Sequence, residues 1–548
     1  MTTFLKNSNP LWWKSAVFYQ IYPRSFYDSN NDGIGDIPGI IQKLDDLNDG
    51  SGGGLGVDAL WISPFFPSPM KDFGYDISDY VGIDPIFGSM KDFEELVRQS
   101  HDRGMRLVID LVLNHTSDEH PWFVESKSSR DNNKADWYIW HDGKPDGSVP
   151  NNWLSVFGGA GWSWCEERSQ YYYHSFLKEQ PDINWYHSEV REEIRKVLRF
   201  WLEKGVDGFR LDTANFYAYD KEFKDNPLYH SDDEVVEKHL ADFNLYLTSN
   251  SKDRAENFEF LSMIRETMNE CGEHYMTIGE IGGIQDPERL SEISASYVKG
   301  NKHLHMAYNF GLLGDKLDSE YLSYQVELIE KRIEDGWPCW SLGNHDCKRL
   351  ASRAKSANLT KSLLAMLLFL RGTPILYYGD ESDMPEYDIK KNELQDPFGK
   401  NYFPEYKGRD GCRTPFPWDS QKPNQGFNQG EKPWLPATAP ICLDQVIEKT
   451  GTTYELLKEL LEFRRTHLDI LNGSYTCFDN KEGKFYFSRK SNQGEIRFVL
   501  NTSTNPIQIE YPAEFSLVLL KNQTSSPTKD NDTLRVPSES FAVLVHKA

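Results

Sequence analysis

Three carboxylates stand at the ends of short apolar runs that lie far apart in the chain: Asp212 in "VDGFRLDT", Glu280 in "YMTIGEI" and Asp346 in "CWSLGNHD". Arg210 precedes Asp212 by two residues, so on an extended strand both side chains point the same way. A guanidinium so placed can orient the carboxylate and keep it ionised, as a nucleophile requires. Glu280, preceded by Gly279 and an apolar run, would sit near that anion in a partly dry site, which raises a carboxyl pKa and suits a general acid. Two such carboxyl groups roughly 5 to 5.5 Å apart flank a glycosidic bond that is cleaved with retention through an oxocarbenium-like transition state. Asp346 adds a third negative charge, able to stabilise developing positive charge or to bind substrate hydroxyls. Asp110 and His115 in "MRLVIDLVLNH", and His345 beside Asp346, occupy further strand ends. Taken singly, each reads as a residue that hydrogen-bonds a loop. Three carboxylates brought together from separate segments read as a catalytic centre.

Such convergence needs parallel strands that share one end. "AVFYQIYP", "VDALWISP", "MRLVIDLVLNH", "VDGFRLDT", "YMTIGEI", "HMAYNF", "CWSLGNHD" and "TPILYYGDE" are eight strand candidates. Helical patterns fall between them, among them "IPGIIQKLDDL", "MKDFEELVRQSHDRG", "HSEVREEIRKVLRFWLEKG", "SYQVELIEKRIED" and "NLTKSLLAMLLFLRG". Eight parallel β-α units predict an α/β fold, a closed (β/α)8 TIM barrel with its chemistry at the C-terminal strand ends. The expected organisation is a first part of the barrel over 1–114, an inserted domain over 115–181 after the third strand, and the rest of the barrel over 182–470. A second insertion runs over about 381–432, after the eighth strand, and a C-terminal antiparallel β-sandwich domain over 471–548. Both insertions would lie over the same barrel face.

With 548 residues, 14 % of them aromatic and 15 of them Trp, the chain can build a large core and aromatic-lined surfaces. Its net charge of −24 disfavours nucleic acid and anionic membranes as partners. The start, "MTTFLKNSNPLWWKSA", lacks a continuous apolar leader, and no apolar run reaches membrane-spanning length, so a cytoplasmic protein is expected. Seven cysteines, an odd number without C-x-x-C pairing, fit reduced thiols better than a disulfide framework. "NDGSGGGLG" at 48–56 reads as a loop. No phosphate-cradling glycine motif appears and no organic cofactor is implied. His101, His120, His141, His174 and His187 lack ligand spacing and read as surface or structural residues.

"DLVLNH", "GFRLDTAN", "IGEI" and "LGNHD" resemble, in order, the four consensus regions of the α-amylase family of glycoside hydrolases, and the resemblance covers essentially the whole chain. It implies Asp212 as nucleophile, Glu280 as general acid/base and Asp346 as transition-state stabiliser, with His115, Arg210 and His345 binding the glucosyl ring. "DFGYDISDY" at 72–80 and "GRDGCRTPFPW" at 408–418 are similar to motifs of exo-acting α-glucosidases. There Asp72 and Arg413 would pair and close a pocket around the terminal glucose. Tyr75 would stack on that sugar, Phe176 and Phe310 would narrow the pocket, and Arg409 would serve the neighbouring glucose site or hold the loop. Relatives preferring α-1,6 bonds commonly carry Val after the nucleophile. Thr213 stands here instead and resembles α-1,4-preferring or mixed-specificity enzymes. The expected substrate is a maltose-type oligosaccharide, taken by a monomer or homo-oligomer. Oligo-1,6-glucosidase, sucrose-cleaving and glucosyl-transferring or isomerising activities are the alternatives, although the "RLDRD" loop of sucrose isomerases is absent. A non-catalytic transporter heavy chain shares the barrel but needs a membrane anchor and typically lacks the catalytic residues, whereas all three carboxylates are present here.

"DSNNDGIGD" at 28–36 matches the first part of an EF-hand loop: Asp28, Asn30 and Asp32 at positions one, three and five, Gly33 at six, the Ile34 carbonyl at seven and Asp36 at nine. Position twelve is Gly39, where a sensor loop needs a bidentate Glu, so a calcium switch is not expected. The similar loop of family relatives binds Ca²⁺ or Mg²⁺ structurally, which implies a metal clip on the first βα loop.

Overall fold

Eight short strands, buried at every residue, close into a parallel barrel in the computed structural model, which describes residues 9–229, 246–284 and 286–547. In chain order they are Phe18–Ile21, Ala59–Ile62, Arg106–Leu111, Gly208–Leu211, Met276–Glu280, Met306–Asn309, Trp337–Ser341 and Thr373–Tyr377. Each pairs with the next, and the eighth pairs with the first. All eight strands expected from the sequence are present. Their continuous apolar runs follow from burial on both faces, since a parallel sheet meets helices outside and other strands inside. Register fixes the level of the charged ends. Asp110 lies opposite Arg210 and Leu211 opposite Gly279, so Asp212 and Glu280 emerge together one residue further on.

The outer helices turn one apolar stripe inward. Ser188–Glu203 buries Val190, Ile194, Val197, Leu198, Trp201 and Leu202, the 3.6-residue pattern of an amphipathic helix. Trp201 meets Phe65, Phe66 and Phe93 at ring separations of 5.0 to 5.6 Å, tying this helix to Met90–Asp102. Fully burying a large apolar side chain of this kind stabilises by about 1.5–3 kcal/mol. "IPGIIQKLDDL" is not one helix: it breaks at Lys43 into Ile37–Gln42 and Leu44–Leu47. The Lys43 ammonium at this break lies 4.1 Å from the Trp418 ring centroid. Ala357–Phe369 is buried on nearly every side, because the C-terminal sheet packs on the face turned away from the barrel, with Phe369 stacked on Phe498 at 5.0 Å.

Between the third and fourth barrel strands the chain forms the helix Pro121–Ser128 and a three-stranded antiparallel sheet of Trp140–His141, Gln170–Tyr173 and Trp162–Cys165. Trp153, Trp162 and Tyr173 make its small aromatic core, which accounts for two of the tryptophans in an otherwise polar stretch. The C-terminal region carries a five-stranded antiparallel sheet built on Lys484–Ser491, Gly494–Asn501 and Ser540–Lys547. A second sheet of Ile507–Glu510, Thr533–Val536 and Thr528–Asp530, strands not singled out in the sequence, packs against it through Val499, Ile509, Leu534 and Leu544. Among the described residues no helix is long and apolar enough to cross a membrane. The reading of the N-terminus rests in part on residues 1–8, which lie outside the described residues.

Candidate active site

Arg210, with no exposed surface, is the centre of the charged strand ends. Its Nη1 donates to Asp110 Oδ1 at 2.8 Å and to Asp212 Oδ1 at 2.7 Å, while Nη2 lies 2.8 Å from Glu280 Oε2. The guanidinium also lies 5.1 Å from the centre of the Trp61 ring, whose indole N–H donates to Asp110 Oδ2 at 3.2 Å. Thr213 completes the link. Its backbone N–H donates to Glu280 Oε2 at 3.0 Å and its hydroxyl to Asp212 Oδ2 at 3.3 Å. To aim that amide, Thr213 adopts φ +41°, a region β-branched residues rarely enter, and such strain collects at functional sites.

The two carboxyls titrate in an order suited to nucleophile and acid. Burial, opposed by Arg210 and reinforced by Asp212 and Asp346, lifts Glu280 to about 8. Burial also lifts Asp212, to about 6 against the pull of Arg210. Desolvation outweighs the guanidinium, yet Asp212 is still mainly ionised at neutral pH. For Asp346 the balance reverses. Burial works to raise it, but His345, Arg409 and Arg413 hold it well below the usual carboxylate range. Burial keeps both histidines neutral, His115 at about 4 and His345 at about 3, so they act through hydrogen bonds. A reaction with Asp212 as nucleophile and Glu280 as acid would need Asp212 charged and Glu280 protonated. kcat/KM should therefore rise as pH passes about 6 and fall as it passes about 8, giving a bell that a pH series on one substrate reads directly. A profile still rising at pH 9 would contradict the Glu280 assignment.

The expected Asp72–Arg413 pair is not formed. Arg413 donates from Nη2 to Asp346 Oδ1 at 2.8 Å and from Nε to the His345 carbonyl at 2.7 Å. Asp72 Oδ1 instead accepts from Arg409 Nη2 at 2.6 Å. The reason lies behind Arg409. Asp396, fully buried, accepts its backbone N–H at 2.7 Å and its Nη2 at 2.8 Å, which aims the guanidinium at Asp72. The turn Asp410–Cys412 then carries Arg413 around to the seventh strand. The sequence reading missed Asp396, because an Asp–Pro pair before a short helix looks like a cap. It is one: it also accepts from Phe398 N–H.

Tyr75, His115, His345 and Phe176 gather at the same site. The Tyr75 hydroxyl lies 3.0 Å from Asp110 Oδ2 and 2.5 Å from His345 Nε2. His115 Nε2 lies 3.0 Å from the Tyr75 carbonyl and 3.1 Å from the amide of Gln180, another residue the sequence did not single out. Phe176 sits between His115, Phe157 and Phe216 at 5.2 to 5.8 Å, and Phe310 stands against Gly282. Phe157, from the inserted region, meets Phe398, from the stretch after the eighth strand, at 4.9 Å, and the Arg409 guanidinium lies 5.2 Å from the centre of the Phe157 ring. The two excursions thus touch across the strand ends.

Residues 20–473 match the family model described as the alpha amylase catalytic domain. The chain belongs to the α-amylase family. Among relatives of this α-amylase family chain are a probable alpha-glucosidase of Rhizobium meliloti, 43 % identical over 91 % of both chains, and an oligo-1,6-glucosidase of Parageobacillus thermoglucosidasius, 38 % identical over 90 % of this chain and 91 % of that one. Among solved structures, an alpha-glucosyl transfer enzyme matches with a TM-score of 0.90 at 38 % identity over 98 % of this chain and 99 % of that one. The trehalulose synthase of Pseudomonas mesoacidophila matches with 0.86 at 31 % identity over 98 % and 99 %. The protein is a glycoside hydrolase of this family, with α-glucosidase relatives.

In this α-amylase family enzyme the first βα loop closes on itself by hydrogen bonds. Asp28 accepts from Asn31 and Gly33 N–H, Asn30 from Asp32, Asp32 from Ile34, and Asp36 from Ser29 and Gly39. The donors are all oxygen, the chemistry a hard cation takes. Among the described residues, however, no three acidic, histidine or cysteine side chains converge closely enough to hold a metal. What the loop does hold is the chain after the eighth strand. Asn428 donates to Asp28 at 2.6 Å, Gln429 N–H to the Asn31 side chain at 2.8 Å, and Trp434 N–H to the Gly33 carbonyl at 3.0 Å. Gly33 is required there: its φ is +93°, and a Cβ would stand 2.5 Å from the Lys432 carbonyl oxygen.

Proposed function

We propose that the enzyme is an exo-acting, retaining α-glucosidase that releases glucose from the non-reducing end of maltose and short α-1,4-linked oligosaccharides. The supporting observation is that one guanidinium reaches both Asp212 and Glu280, which fits the roughly 5 to 5.5 Å gap of a retaining pair better than the wider gap an inverting pair leaves for water. Arg210 holds Asp212 Oδ1 at 2.7 Å while Oδ2 accepts only the longer 3.3 Å bond from the Thr213 hydroxyl, so Oδ2 is the oxygen that attacks the anomeric carbon. Glu280 Oε2 is held by Thr213 and Arg210, so the proton given to the departing glycosidic oxygen sits on Oε1. The glucosyl–Asp212 ester then meets a water whose proton returns to Glu280, releasing glucose and freeing Asp212. Asp346, kept ionised by its arginines, stabilises the positive charge that develops on the sugar. The contact between Phe157 and Phe398, with Arg409 bound to Asp72 beside it, favours a blind pocket over an open groove, hence attack at chain ends.

Thr213 supports the α-1,4 preference. Resolving the products from maltose, isomaltose, sucrose, trehalose and soluble starch tests the whole reading: rapid glucose release from maltose with little from starch is expected. Likeness to an alpha-glucosyl transfer enzyme favours a second reading, transfer of the glucosyl group to a sugar hydroxyl in place of water. New disaccharides as the main product from dilute maltose would establish transfer over hydrolysis.

A structural Ca²⁺ or Mg²⁺ is the remaining part of the proposal, supported by the oxygen donor set alone. Asp28, Asn30, Asp32, the Ile34 carbonyl and Asp36 would hold it, outside the chemistry. Chelation should then lower the melting temperature and leave the pH profile unchanged; an unchanged melting temperature after verified metal removal ends the idea.

A further inference from the structure

Beyond the groups that touch substrate, the acid/base segment is held by a buried ion pair on the loop after the fourth strand. Lys252 and Asp253 side chains are each 1 % exposed and lie 2.9 Å apart, Nζ to Oδ2. Burying a lysine is costly unless its charge is satisfied. The second bond made by the ammonium shows what it serves: Nζ donates to the Gly282 carbonyl at 3.0 Å, two residues beyond Glu280. A third face of the ammonium is covered by the Phe216 ring at 4.9 Å.

Asn215, three residues after the nucleophile, binds the same carbonyl at 3.0 Å through Nδ2, and its Oδ1 accepts from Gly282 N–H at 3.3 Å. Asp253 Oδ1 in turn holds the Asn215 amide at 2.6 Å. One residue nearer the chemistry, Ala214 N–H donates to the Glu280 carbonyl at 2.9 Å. The segments carrying Asp212 and Glu280 are thus laced together, and the Lys252–Asp253 pair braces the lacing from outside. Asp253 adopts φ +55° to make this bond, a conformation uncommon for a residue with a side chain.

We infer that Lys252, through the Gly282 carbonyl and with Asp253 behind it, is a positioning residue that sets where the Glu280 carboxyl meets the leaving oxygen. The inference rests on Glu280 being the acid of the reaction proposed above. A displacement of the acid by about 1 Å costs on the order of a hundredfold in rate. Such a loss is specific to substrates that need the proton. The glucose expelled from maltose would depart as a sugar alkoxide and needs the proton; the 4-nitrophenolate expelled from 4-nitrophenyl α-glucoside is a stable anion and needs little.

The test compares kcat/KM for these two substrates in Lys252→Met, Lys252→Arg and the neutral pair Lys252→Met/Asp253→Asn, which leaves no lone buried charge should the single variant fail to fold. Roughly ten- to hundredfold loss on maltose is expected, with at most a few-fold loss on the aryl glucoside, in whichever of the two methionine variants is folded. Lys252→Arg should recover most of the maltose rate. Equal losses on both substrates, or none, overturn the inference and leave Lys252 a stability residue. Glu280→Gln measured alongside separates the two claims. If it keeps maltose turnover, the acid assignment itself is wrong. If it loses maltose turnover while the Lys252 variants treat both substrates alike, only the positioning role fails.

Discussion

Asp212→Asn should lower kcat on maltose by on the order of 10⁴-fold or more while leaving the protein folded. The amide is isosteric with the carboxylate, and its oxygen can still accept from Arg210 Nη1, now 2.7 Å from Asp212 Oδ1. What is lost is the charged oxygen that would form the bond to the anomeric carbon. Because burial raises the Asp212 pKa, the carboxylate is less comfortable in the fold than in water, and its neutral replacement should melt at the same temperature or slightly higher. Activity and stability therefore move in opposite directions, which separates loss of a nucleophile from general damage. Steady-state kinetics and a thermal melt on the same preparation suffice. Retained turnover would remove Asp212 from its role, whatever the melt shows.

Arg210→Met should be the most destabilising single change at the site. Methionine can occupy part of the space beside Trp61, but Asp110, Asp212 and Glu280 then lose the cation that contacts all three. Removing one partner from a buried ion cluster costs about 3–5 kcal/mol, because the charges left behind are uncompensated. The sign of the pH dependence follows. Without the guanidinium the three carboxyls are lifted further above their unfolded values, so the folded state binds more protons than the unfolded chain. The deficit should be small near pH 4 to 5 and grow as pH rises towards 8. Urea denaturation at pH 5 and pH 8 reads this directly. A pH-independent loss would mean that Arg210 acts through packing alone.

The barrel was legible because its signal is redundant: eight runs of β-type residues, four of them ending in charged or imidazole groups, separated by helices of the right period. The convergence of Asp212, Glu280 and Asp346 was legible for the same reason, since they follow strands whose ends topology aligns. Partners set by loops were not. Arg409 and Arg413 are four residues apart on one turn, and nothing local says which of them meets Asp72; the choice depends on Asp396, which reaches Arg409 from the far side. Lys252 escaped notice because "SKDR" reads as a solvated charge run, and only tertiary burial gives it a partner in the acid/base segment. The second C-terminal sheet is made of strands of three or four residues, with Thr528–Asp530 fully exposed, too short for a period of two to show.

The hold of the first βα loop on the chain after the eighth strand has a consequence for biosynthesis. Asn428 and Asp28 are 400 residues apart, and the first barrel strand likewise finds its second neighbour only in the eighth. At roughly 5 to 20 residues per second, a ribosome needs roughly 20 to 80 seconds to cover that distance. For that interval the opening strand has one unpaired edge and its loop has no anchor. The nascent chain therefore emerges with that edge first and seals it only when the eighth strand arrives, which makes the early barrel half, rather than the finished enzyme, the species that a chaperone would have to shield.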